Sequence, residues 1–418
     1  MAAARRVFAD PAADAARLLV RLALFLLMVA TPVAELIYRG PLYVFLPVGA
    51  CILIVAGRLA SARAREDRAP RLLKILSSPI AGAAMFLFFW AGLSLLWTPF
   101  PDEAATRFFK AAATALLVFF AILALPAKTE AENLYFLPIG LAITAVATIA
   151  LTLFAPQIFW QGEHPDSTLA QRSVMTLTVL LWPALGALGL RERWLLAVVL
   201  AAVATAAALA TFIQVALVAL ALSAVVYAIA VSDPQRVGQI LGFGLAGLAL
   251  LAPVAALVTL AITNLAHVPH VGPGLVFADL FLREWPRFIT GHGVDFAQRA
   301  LEIGVLPRGA PHSILFKFWY ELGILGVLAF AVLAVGAFIA AGRTPIYIAP
   351  ALLAGLVSGL VVTIWGAETT QIWWISLAGL DAIALALFCK GLPLAKRPLA
   401  PLAETEPFEA DSSADFGD

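Results

Sequence analysis

Long apolar stretches, each close to the length needed to cross a bilayer, recur along this chain and constrain its fold more than any motif does. A spanning helix needs about 20 largely apolar residues. Segments of that kind begin near Leu18, Leu42, Pro79, Phe109, Leu134, Ser173, Trp194, Ile213, Gly238, Ile314, Pro345 and Gln371, which predicts about twelve spans. The 418 residues are 62% hydrophobic and 13% charged, more apolar surface than a soluble protein of this size can bury. The runs are continuous and do not alternate with period two, so a closed barrel is excluded. Helices remain, because they satisfy their own backbone groups in lipid. The expected fold is therefore all-α, a polytopic membrane protein.

Polar segments divide the chain. Residues 1–17 read as a cytoplasmic amino terminus and 18–390 as one membrane domain. Residues 391–418, with Glu404, Glu406, Glu409, Asp411, Asp415 and Asp418, read as a disordered acidic tail in the cytoplasm. The first apolar stretch is too long for a signal-peptide core and is read as a retained helix. Orientation follows the arginine and lysine bias of short loops. Arg58, Arg63, Arg65, Arg68, Arg71 and Lys74 place the loop between the second and third spans inside. Counting from it puts both termini and the segments at Lys128, Arg191–Arg193, Arg236 and Arg343 on the same side. The segments at Asp102, 156–172, 264–313 and 366–370 then face outward. The outer segment 264–313, about fifty residues, is too long to be structureless and is expected to hold short helices before the tenth span. Its stretch from Phe277 to Ile289 suits an interfacial amphipathic helix.

A net charge of +1 gives no field that would attract nucleic acid or an acidic protein, so the bilayer is the expected partner. Cys51 and Cys389 both sit in apolar spans, and no disulfide framework is indicated.

All five histidines fall in two polar interruptions: His164 in one, and His267, His270, His292 and His312 in the other. The larger interruption also carries Arg283, Arg287, Arg299 and Arg308 without a lysine. Such a gathering of proton-transfer groups and guanidinium forks beside the bilayer points to chemistry on an anionic, lipid-borne substrate. Arg172, directly before the sixth span, reads either as a snorkelling anchor or as a grip on a diphosphate through paired charge-assisted hydrogen bonds. An anchor is commoner on the cytoplasmic side, and this residue is predicted outside. Gly291-His292-Gly293 reads first as a turn, because a dinucleotide fingerprint needs a strand before it and a helix after it.

Pro311-His312-Ser313 stands where the outer segment enters the tenth span, and imidazole is the natural base for deprotonating a hydroxyl near neutral pH. Glu321, about two turns deeper, either pairs with Lys317 or faces a cavity. His267-x-x-His270 lacks zinc-protease spacing, and no Gly-x-Ser-x-Gly exists, so neither a metal site nor a serine hydrolase is expected. A transporter would place ionisable groups near the bilayer midplane; here they gather at one face.

Several segments, taken in order, resemble the O-antigen ligase and O-antigen polymerase superfamily of bacterial envelope glycosyltransferases. Trp90 to Ser94 and Trp97-Thr-Pro-Phe-Pro101 resemble its early Ser-x-x-Trp segment. Gln171-Arg172 with Leu180-Leu-Trp-Pro183 resembles its Asn-Arg…Trp-Pro pattern, glutamine replacing asparagine. Thr211-x-x-Gln214 resembles a polar stretch at an outer hairpin. Thr290-Gly-His-Gly293 and Pro311-His312-Ser313 with Glu321-Leu-Gly323 resemble its Pro-His-Asn…Glu-Leu-Gly segment, serine replacing asparagine. Gln371-Ile-Trp-Trp374 resembles a Trp-Gln-x-Trp-Trp segment. An arginine found upstream of the Gly-x-Gly element in relatives has no counterpart at 271–276, and His270, Arg283 and Arg287 are the candidates for its part.

The resemblance implies transfer of a glycan from undecaprenyl diphosphate to an acceptor hydroxyl, lipid A–core in a ligase, at the periplasmic face of the inner membrane. It implies inversion at the anomeric carbon, with no metal and no cofactor. His312 would be the catalytic base, and Arg172 would hold the diphosphate. Arg283, Arg287, Gln214, His292, Glu321 and Gln371 would complete substrate binding. A polymerase of the same superfamily shares the donor; a polysaccharide or lipid transporter without catalysis is the alternative of another class.

Overall fold

The computed structural model describes residues 11–38, 40–64, 76–126, 131–160, 168–266, 272–307, 309–311, 313–365 and 372–391. They are helical almost throughout, and no β-strand occurs among them. Nine helices among the described residues are long and apolar enough to cross a membrane; Gln214–Ala230, Ala349–Trp365 and Trp373–Cys389 are shorter apolar helices. His164, His267, His270, Arg308, His312, Gln371, the basic loop 65–75 and the tail 392–418 lie outside the described residues.

Helix Leu169–Leu190 is the axis of the bundle, buried along nearly its whole length. It starts where the Thr168 side chain accepts from the Gln171 amide, which satisfies one of the free N–H groups of the first turn. Helices Phe136–Phe154, Trp194–Thr211, Ala349–Trp365 and Ile372–Cys389 pack around it. Two attachments to the axial helix are polar. Trp182 donates to Ser223 on Gln214–Ala230, and Ser358 on Ala349–Trp365 donates to the Thr178 carbonyl. On the far flank, Pro234–Ala266 lies along Gly323–Gly342 at a separation only small residues allow: a Cβ on Gly238 would stand 2.5 Å from the Phe338 carbonyl oxygen.

The first helix starts at Pro11, inside the segment read from sequence as a terminal tail, and it is interrupted by a π-turn at Leu26–Ala30. Pro32 explains the interruption. It has no N–H to give the Met28 carbonyl, and Gly140 on the neighbouring helix lets that carbonyl approach closer than any Cβ would tolerate. The chain then continues as Thr31–Ala34 and carries Glu35 inward against the axial helix.

The segment before Ile314 packs with the helix turns that follow it into a second, smaller core, with Phe277, Phe288, Phe296, Phe316, Trp319 and Tyr320 at its centre. The single amphipathic helix expected over Phe277–Ile289 is two helices, Pro273–Arg283 and Arg287–Thr290. Pro286 breaks it, since proline disfavours helical geometry in the residue before it. A further helix, Phe296–Glu302, follows. The span beyond begins at Ile314, passes through a π-turn at Phe318–Leu322, and restarts at Gly323, whose φ of +64° suits glycine.

Candidate functional site

Two groups of polar side chains gather where helices end, and following the chain up and down the bundle puts both at the same end. The first surrounds Arg172, in the opening turn of the axial helix. Arg172 is 9% exposed, and its guanidinium lies 5.6 Å from the centroid of the Trp373 ring. Trp373 is in turn held by its indole N–H, which donates to Glu35 Oε1 at 3.1 Å. The other carboxyl oxygen of Glu35 accepts from Thr176 Oγ1 at 2.5 Å. Thr176 sits one turn beyond Arg172 on the same helix, so both reach the same neighbours. Glu35, Arg172, Thr176 and Trp373 thus come from the first, central and last apolar helices.

Glu35 follows the last residue of its span, and burial pushes its carboxyl up to about 7, against the lowering effect of Thr176, Trp373 and the Arg172 charge. The Ser173 hydroxyl, beside Arg172, is buried with no hydrogen-bond partner among the described residues. A fixed cation in the first turn of a helix adds to the positive end of the helix dipole. The arrangement can therefore hold an anion. Gln214 is exposed at the start of its helix, and Ala216, two residues on, packs on Val174. That places Gln214 near the same helix end.

The second group is a clasp between distant segments. The His292 and Gly293 amides donate to the Tyr320 and Glu321 carbonyls at 2.9 and 3.0 Å. Gly291 has φ +81°, and a Cβ there would run into the Glu321 carbonyl; Gly293 has φ +103° and faces Thr98. Both glycines are therefore required by backbone geometry. Ser94 Oγ accepts from the Val294 amide, Thr98 Oγ1 donates to the Val294 carbonyl, and Trp90 Nε1 donates to the Leu322 carbonyl. Arg107 bonds Asp295 and Gln298. Asp295 stands before helix Phe296–Glu302 at φ +68° without capping it. Glu321 supplies the cap instead, accepting from the Ala297 amide at 3.2 Å. Burial raises the Asp295 carboxyl above its ordinary range, against the pull of Arg107.

His292 is wedged into this clasp. Its Nδ1 lies 2.9 Å from the Tyr320 carbonyl and its Nε2 2.8 Å from Glu284 Oε2, while its ring stacks on Tyr320 at 4.1 Å. With both nitrogens engaged, it serves the turn, as its flanking glycines foretell. Glu321 likewise holds a loop helix. Arg283 is exposed and paired with Asp279, and Arg287 is exposed. Beside them an apolar groove of about 540 Å³ runs between Phe281, Trp285, Ile289 and Trp319. Among the described residues no three His, Cys, Asp or Glu side chains come together as a metal site would need.

The structure thus joins Arg172 to residues that sequence reasoning did not select. Trp373 carried a signal, since it lies two residues beyond Gln371 in a segment already noted. Glu35 and Arg107 carried none: each is a lone charge near a span end, and its meaning depends on partners far away in sequence. No known family model matches the chain, and no curated protein matches it.

Proposed function

We propose that the protein is an O-antigen ligase-like glycosyltransferase of the bacterial inner membrane. It has twelve spans when the three shorter apolar helices are counted, with both termini cytoplasmic and the segment 264–313 periplasmic. It moves a glycan from undecaprenyl diphosphate to an acceptor hydroxyl, lipid A–core. The observation that carries this reading is the buried Arg172, fixed between a helix start and the Trp373 ring.

Departure of a lipid diphosphate develops negative charge that a preorganised cation stabilises. An arginine suits the task because its charge persists at every cellular pH and its fork matches two phosphate oxygens. His312 takes the proton of the acceptor hydroxyl, which attacks the anomeric carbon as the bond to the diphosphate breaks. The clasp around His292 fixes the segment that leads to His312, and the apolar groove beside it offers a place for hydrocarbon.

Deleting the gene and analysing the surface polysaccharide tests the proposal. Glycan accumulating on carrier lipid with none attached to core is expected. Single repeats on core would make the protein a polymerase, and unchanged polysaccharide with a transport defect would end the glycosyltransferase reading. Replacing His312 by alanine is expected to abolish transfer while the protein still inserts; retained transfer would remove it as the base. Arg172→Lys is expected to cut transfer at least tenfold, about 1.4 kcal/mol of transition-state binding, because the paired fork is lost. Wild-type rates in that variant would make Arg172 an anchor.

A further inference from the structure

Glu35 has no part in the chemistry above, yet it is among the most enclosed acids of the chain. It is 2% exposed, both carboxyl oxygens are engaged, and the partners come from two other helices. A buried acid with that geometry needs a reason, because an uncompensated carboxylate in such a place is costly. The reason offered by the geometry is Arg172. One oxygen fixes Trp373, whose ring lies under the guanidinium; the other fixes Thr176, one turn along from Arg172. Among the described residues, the titratable groups that act on Glu35 or are acted on by it are the Arg172 guanidinium and the Tyr43 phenol.

We propose that Glu35 is a positioning residue for an anion site at Arg172, and that it takes up a proton from solvent when a diphosphate occupies that site. The first half follows from the two hydrogen bonds: without Glu35, the Trp373 indole and the Thr176 hydroxyl lose the group that ties them together beside the guanidinium. The second half is electrostatic. An anion arriving at Arg172 spends part of the positive charge that favours the ionised carboxylate, and it brings negative charge near a buried acid. Both effects shift Glu35 toward its neutral form. A neutral carboxyl keeps both contacts, since one oxygen still accepts from Trp373 and the hydroxyl can donate to Thr176. The site can therefore change charge without losing its shape. This inference rests on reading Arg172 as an anion site.

The burial that lifts Glu35 to about 7 sets the window. Near pH 5 the carboxyl is already protonated and binding takes up no proton from it. At pH 7 up to about half a proton per site is available, and by pH 8 nearly one.

The test is calorimetric titration of the detergent-purified full chain with inorganic pyrophosphate, in two buffers of different ionisation enthalpy at pH 7 and 8. Wild type minus Glu35→Gln isolates the proton that belongs to Glu35 from those of pyrophosphate itself. Glu35→Gln, which keeps the shape and the acceptor for Trp373, is expected to bind pyrophosphate without that proton. Glu35→Ala, which frees both partners, is expected to bind at least tenfold more weakly. Trp373→Phe keeps a ring under the guanidinium and loses the N–H; it is expected to fall between them. Equal proton uptake in wild type and Glu35→Gln, or wild-type affinity in Glu35→Ala, would overturn the role of Glu35 while leaving the anion site standing. Undiminished binding in Arg172→Ala would instead remove the anion site, and this inference with it.

Discussion

At the scale of single residues, burial decides what the charged and the small side chains do. Glu35 is the sharpest case. Its carboxyl ionises near 4.5 in an unfolded chain and at about 7 in the fold, so between those values the folded state holds the extra proton. Its contribution to stability is fully present below about pH 4.5 and is lost as pH rises through about 7, a difference of about 3 kcal/mol. Thermal unfolding in detergent is therefore expected to show a midpoint falling from pH 5 to pH 8 in wild type, with a shallower fall in Glu35→Gln. A fall of equal steepness in the two proteins would refute this account of Glu35. Gly291 gives a second case. Its φ of +81° and the carbonyl of Glu321 against its Cα leave no room for a side chain. Gly291→Ala is expected to destabilise the clasp by about 1–3 kcal/mol from backbone strain alone, seen as a lowered unfolding midpoint.

At the scale of elements, the spans were legible because a run of apolar residues needs no distant partner to declare itself. The stretches expected from hydropathy coincide with helices among the described residues, nine of them long and apolar enough to cross a membrane and three shorter. The loop before Ile314 was legible as containing helices, and its break at Pro286 follows a local rule, although the amphipathic pattern alone concealed it. What could not be read is pairing. Arg107 stands on a helix that begins at Pro101, and its carboxylate partner lies 188 residues away. Glu35 finds Thr176 at 141 residues and Trp373 at 338. No period or spacing encodes such meetings. His292 shows the converse: its flanking glycines announced a turn, and a turn is what it serves. The Arg107–Asp295 pair can be tested at this scale. Arg107→Ala removes the hydrogen-bonded partner of a buried carboxyl and leaves it only the weaker pulls of Arg299 and Lys317, a loss of about 2 kcal/mol. It is expected to speed proteolysis between residues 284 and 311, and Asp295→Asn in the same chain is expected to restore much of the protection. Unchanged cleavage in Arg107→Ala would show that the clasp does not depend on this pair.

At the scale of the whole molecule, the distribution of the Arg172 group has a bearing on biosynthesis. Its members enter the membrane in the order of translation: Glu35 with the first apolar helix, Arg172 and Thr176 with a central one, Trp373 with the last. Until the final helix leaves the ribosome, the guanidinium has no ring beneath it and the acid has no indole to bind. A chain stopped after Trp365 is expected to label rapidly with a water-soluble maleimide at Arg172→Cys, with Cys51 and Cys389 replaced by serine, whereas the finished chain is expected to label slowly. Rapid labelling of both would contradict it. A nascent protein built in this way carries an unfinished Arg172 group for as long as it is incomplete, and a truncated product never completes it.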